Sequence, residues 1–134
     1  MMPGLFSSTT IPVLEQLANF AQQRHQILAS NVANVDVPGY RTRDLSMDQF
    51  QTQLKQAIEQ QNSPGASPAS ANENLKPFDN VKKSLQTIVY HDENNVGLEQ
   101  QVAELAKNQL THNLALTILT SQFRLLEAAI SEKV

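Results

Sequence analysis

The chain has 134 residues, enough for one domain of ordinary size, with a formal net charge of −3 and a pI near 5.5. It holds no block of five basic residues, so the electrostatic footprint of nucleic-acid binding is missing. Cysteine is absent, which excludes disulfides and thiolate metal sites. Only 17% of the residues are charged and 5% aromatic, with no Trp, which is sparse for an enzyme core packed around a cleft. Polarity comes from fifteen Gln and eleven Asn. A neighbouring subunit can cover such side chains at lower desolvation cost than charges, although composition alone favours plain solubility.

Residues 1–10 read as a flexible start, because Pro3, Gly4 and the run Ser7 to Thr10 supply no periodic apolar face. They lack a basic n-region and a long apolar run, so no secretory signal peptide is expected. No segment is expected to span a bilayer. A helix is predicted over residues 11–35, with Thr10 as N-cap and Pro12 tolerated in the first turn. One face carries Leu14, Leu17, Ala21 and Leu28; another carries Val13, Phe20 and Ile27. Together they are wider than a strip against one partner, and Arg24 and His25 interrupt them.

Residues 36–60 are predicted to hold a turn, an extended stretch and a weak helix. Pro38-Gly39 is the turn signal, since Pro fixes φ near −65° and Gly accepts positive φ next to it. The helix, from about Asp48, would place Phe50, Leu54, Ala57 and Ile58 on one side. Residues 61–80 read as a linker: small and polar residues with proline cannot bury enough surface to offset ordering entropy. Residues 81–95 read as an extended or hairpin-like segment, with Leu85, Thr87 and Val89 alternating against Gln86, Ile88 and Tyr90.

A long helix is predicted over 96–134. Leu98, Val102, Leu105, Gln109, His112, Leu116, Leu119, Phe123, Leu126 and Ile130 recur alternately four and three residues apart, the spacing of a coiled-coil seam. A second stripe runs through Ala103, Leu110, Leu114, Ile118 and Leu125. Two apolar faces call for cover on both sides, either from other subunits or from the middle of a compact bundle. His25, His91 and His112 have no ligand spacing, and Asp92 beside Glu93 reads as a solvated turn. No nucleophile with an evident base and no phosphate-cradling glycine loop is present, so neither catalytic, cofactor nor metal residues are assigned.

The exit of the first helix reads Ala29-Ser30-Asn31-Val32-Ala33-Asn34-Val35-Asp36-Val37-Pro38-Gly39-Tyr40. This resembles the ASN-x-AN-x-x-TPGY signature of bacterial flagellar axial proteins, the rod, hook and hook-associated subunits, with Val37 where that family usually has Thr. Asn31, Ala33, Asn34, Pro38, Gly39 and Tyr40 carry the match. The run from Asn94 to Leu110 looks like that of the short proximal-rod members, which commonly have Asp where Gly97 stands. The resemblance implies a mainly α fold, with long N- and C-terminal helices packed as an antiparallel coiled coil, a short extended or β segment and a flexible middle linker. It implies a structural subunit, not an enzyme, exported by the flagellar type III apparatus and placed in the basal-body rod across the periplasm. The implied partners are further copies of the chain, the rod proteins FlgC, FlgF and FlgG, FliE, the MS-ring protein FliF and the export gate. Packing and subunit contacts are expected at Leu14, Leu17, Phe20, Ile27, Leu28, Leu98, Val102, Leu105, Leu110, Leu114, Leu116, Leu119, Phe123, Leu126 and Ile130. A cytoplasmic helical adaptor or export chaperone is the alternative.

Overall fold

The computed structural model describes residues 10–61, 77–92 and 97–132. The start expected to be flexible before Thr10, the expected linker up to residue 76 and residues 93–96 of the expected turn lie outside the described residues. The protein is mainly α-helical. Helix α1 (Ile11–Ala33) leads through a turn to strand β1 (Arg43–Leu45) and helix α2 (Met47–Gln61). Helix α3 (Pro77–Ser84), strand β2 (Val89–His91) and helix α4 (Leu98–Ser131) follow.

Pro12 sits in the first turn of α1, where its missing N–H costs nothing. The expected Thr10 cap differs in kind. Thr10 is already in the helical region (φ −81°, ψ 0°) and its hydroxyl makes no capping bond; its carbonyl instead accepts Leu14 N–H at 2.9 Å. At the other end Asn34 N–H closes the helix on Ser30 O at 3.0 Å. Val37 to Tyr40 then turn the chain, with Tyr40 N–H on Val37 O at 3.2 Å and Gly39 at φ 79°. That φ is one L side chains avoid, so Gly at this place is a backbone requirement.

Strands β1 and β2 pair antiparallel, Arg43 opposite His91, Asp44 opposite Tyr90 and Leu45 opposite Val89. The pairing continues past both ends through Asp92 N–H to Thr42 O at 2.7 Å and Ser46 N–H to Ile88 O at 3.1 Å.

Residues 77–84 correct two sequence expectations. The sequence places them partly in a linker and partly in an extended segment, but they form α3. Phe78, Val81, Leu85 and Ile88 are spaced three, four and three apart, so they share one helical face. All four are buried. Past Ser84 the chain stays curled, with Thr87 and Ile88 N–H both on Ser84 O, and only Val89–His91 is extended. The alternation from Leu85 to Tyr90 was therefore the tail of a helical pattern.

The core lies on one side of α1. Phe20 belongs to one buried cluster with Leu45, Phe50, Ala57, Phe78, Val81, Leu85 and Ile88, and Val13, Leu17, Ile27, Leu54, Ile58 and Val89 pack against it. The Phe20 and Phe50 rings stack at 4.3 Å, 21° apart. The second apolar face of α1 is thus covered inside the chain by α2 and α3. On an adjoining face of α1 lies α4, which packs extensively on α1 and at most weakly on any other described element.

Candidate assembly interface

Three contacts fix how α4 lies on α1. Asn31 meets Gln101, Arg24 meets Glu104, and Asn108 meets the backbone of Ala21. Numbers fall along α1 as they rise along α4, so the helices run antiparallel. At 1.5 Å per residue, the start of α1 lies level with about residue 118 of α4. The last turns of α4, to Ser131, run past the first described residue of α1.

Asn31 is the hub of the helix exit and is fully buried. Its Nδ2 donates to Arg43 O at 2.6 Å and to Gln101 Oε1 at 3.0 Å. Its Oδ1 accepts Arg43 N–H at 3.1 Å and the Tyr40 hydroxyl at 2.9 Å. All four amide bonding positions are filled, and one side chain joins α1, the turn, β1 and α4. Asn34 acts locally, its Nδ2 donating to Ser30 O at 2.8 Å. Tyr40 reaches back to its own chain, which ties the Pro38-Gly39 turn to the helix it leaves. The Asn31, Pro38-Gly39 and Tyr40 spacing is therefore one structural unit.

Arg24, which interrupts the apolar faces of α1, is the second hub. Its Nε and Nη2 hold both oxygens of Asp44 at 2.9 and 3.0 Å, and Nη2 also donates to Glu104 Oε2 at 3.0 Å. The hydrogen bonds to Asp44 raise the guanidinium pKa above its ordinary value, against the opposing effect of burial. The charge therefore persists at any working pH and clamps α1 to β1 and α4. The sequence points to Asn31 as a residue that ties down the turn, but not to its bond with Gln101 on α4. Arg24 reads there only as an interruption, and a lone Arg in an apolar stripe with carboxylates elsewhere is the signal for it.

The seam of α4 differs from the expected ladder by one residue. Its buried positions are Gln101, Asn108 and Ala115, seven apart, with Leu105, His112, Leu119 and Leu126 half-buried between them. Leu105, Leu119, Leu126 and His112 belong to both patterns. The other ladder positions, Leu98, Val102, Gln109, Leu116, Phe123 and Ile130, are exposed, and so are Leu110, Leu114, Ile118 and Leu125 of the second stripe. The physical reason is polar. Asn31, Arg24 and the Ala21 carbonyl face α4, and a ladder of Leu and Val would strand them. In α1, Leu28 is buried and Leu14 half-buried, while Leu17, Phe20 and Ile27 turn to the inner core.

Two apolar flanks are thus left open, one on each side of the seam, and Leu110 is 71% exposed. Between Lys107 and Arg124 there is no Asp, Glu, Lys or Arg. Several polar side chains there bond within the helix itself: Thr117 to Asn113 O, Thr120 to Leu116 O, and Gln109 to Asn113. Such a surface can lose water cheaply. It also corrects the expectation that nothing could cross a bilayer, because α4 is long and apolar enough by length and composition to do so. The apolar run is diluted with Thr, Asn and Gln, so no unbroken stretch marks it in the sequence.

The sequence profile described as "Flagella basal body rod protein" matches residues 18–41, the segment that carries Arg24, Asn31 and the turn. The chain is 28% identical over 119 residues to the flagellar basal body rod protein FlgB of Salmonella typhimurium, covering 82% of this chain and 84% of that one. It is 29% identical over 119 residues to FlgB of Yersinia ruckeri, covering 82% and 85%. Against FlgB of Bacillus subtilis it is 24% identical over 132 residues, covering 96% and 97%. No solved structure matches the chain with comparable significance. The helix-exit unit, the profile match over it and the near end-to-end likeness to rod proteins of distant bacteria agree: over most of its length the chain is similar to flagellar basal-body rod proteins.

Proposed function

We propose that this chain is a structural subunit of the flagellar rod, that it sits in the proximal rod between the MS ring and the distal rod, and that it polymerises by burying the flanks of α4 against neighbouring subunits. The observation that carries the reading is the set of nine large apolar side chains left exposed on one helix: Leu98, Val102, Leu110, Leu114, Leu116, Ile118, Phe123, Leu125 and Ile130. Burying each contributes about 1.5–3 kcal/mol. The flanks lie on both sides of the α1 seam, so one subunit offers two different contacts. Such heterologous contacts build open helical arrays when the rotation does not close. The neighbours are further copies of the chain and the rod proteins FlgC, FlgF and FlgG, with FliE, FliF and the export gate at the base. Delivery by the flagellar type III apparatus across the periplasm belongs to the same reading. Helices cover α4 better than lipid does, because Gln101, Glu104 and Asn108 need the polar groups of α1 and are costly in hydrocarbon.

Leu116→Asp tests this. Leu116 is 43% exposed, so the isolated variant is expected to unfold within about 0.5 kcal/mol of the parent. In cells it is expected to be missing from purified basal bodies and to abolish swimming. Normal motility with the variant present in basal bodies would contradict the assignment of the flank.

A further inference from the structure

The face of α4 that meets α1 is the poorer one. Gln101, Asn108 and Ala115 occupy its buried positions, while a neighbouring face with Val102, Leu116 and Phe123 stays in water. Turning α4 about its axis by about 60° would exchange them, and Leu105, His112 and Leu119 would serve either arrangement. Apolar burial alone favours the turned helix. What opposes it is the polar demand of α1: Asn31 needs Gln101 Oε1, and the Ala21 carbonyl takes Asn108 Nδ2 at 2.6 Å.

We infer that Gln101 and Asn108 select which face of α4 meets α1, and so keep the flank of Val102, Leu116 and Phe123 turned outward. A single buried amide in a helical seam is known to fix register at a cost in stability. Here two amides, one heptad apart, act on rotation. The inference concerns one chain by itself and stands whether or not the flanks serve rod assembly. It also explains the absence of charge at the selecting positions. An amide both donates and accepts, so Gln101 accepts from Asn31 and Asn108 donates to Ala21 without the desolvation cost of an ion.

The chain has no cysteine, so single introduced thiols report on each face. Ala115 is 1% exposed and Leu116 43%. In the full-length parent, Leu116→Cys is expected to react with a soluble maleimide at least about tenfold faster than Ala115→Cys, since a buried thiol waits for local opening. In a Gln101→Leu/Asn108→Leu background the ratio is expected to fall to near one or to invert, with helix content unchanged by circular dichroism. A ratio that stays at its parental value would overturn the inference. Fast reaction of both thiols with helix content kept would also overturn it, because the amides would then be holding α4 rather than orienting it. Should the double variant lose helix, the same pair in Asn108→Leu alone decides in the same way. That variant keeps the Asn31–Gln101 bond and the Arg24–Glu104 pair, and loss of helix there would count against the inference as well.

Discussion

Asn31→Leu is expected to destabilise the protein by about 4 kcal/mol, although leucine is similar in size and more apolar. The reason is what it strands. The N–H and carbonyl of Arg43, the hydroxyl of Tyr40 and Oε1 of Gln101 all lose their partner at once. Leaving a buried polar group unpaired costs about 1–3 kcal/mol. The Tyr40 and Gln101 groups recover part of that by moving toward water, which keeps the sum below the simple total. Asn34→Ala is the useful contrast. Its amide serves one carbonyl at a helix end, so about 1 kcal/mol is expected. Urea unfolding of both variants checks the pair. Equal losses would mean that Asn31 is an ordinary cap and not the joint between α1, β1 and α4.

Phe20→Ala is expected to cost about 3–5 kcal/mol, a large share of the 5–15 kcal/mol that a domain usually has. Phe20 is 1% exposed and stands where α1, β1, α2, α3 and the turn before β2 converge. No neighbour can fill the space without leaving its own rotamer. The stacked contact with Phe50 adds a directional part worth about 0.5–1.5 kcal/mol beyond burial. A double-mutant cycle with Phe20→Leu and Phe50→Leu isolates it. A coupling indistinguishable from zero would mean that the rings only fill volume.

What the sequence revealed, and what it hid, follows from how each signal is encoded. Long helices announce themselves by period, so α1, α2 and α4 were legible from the spacing of Leu, Ile and Phe. Gly39 was legible because a Pro-Gly turn has few backbone solutions. Helix α3 was hidden because its first turn follows a run of Pro, Ser and Asn, and because Leu85, Thr87 and Val89 happen to alternate. The seam of α4 was misplaced for a deeper reason. Hydrophobic periodicity identifies faces that will be buried somewhere, but not by whom. On the proposed reading, in which the chain assembles, the strongest apolar ladder belongs to the neighbours. The intramolecular face can then be left to amides and alanine, as Gln101, Asn108 and Ala115 show. Only the partner residues on α1 resolve this, and Asn31 and Arg24 lie 70 or more positions away in sequence from those they bind on α4.

Thiol accessibility in the assembled organelle probes the flanks themselves. Leu110→Cys and Leu116→Cys, placed in turn in the otherwise cysteine-free chain, are to be labelled with a soluble maleimide in the purified protein and in isolated basal bodies. Both are expected to react readily in the purified protein and at least about tenfold more slowly in basal bodies, where neighbouring helices cover them. Equal rates in the two states, with the variant incorporated and the cells motile, would show that the flanks of α4 stay in water and that the rod is held together elsewhere.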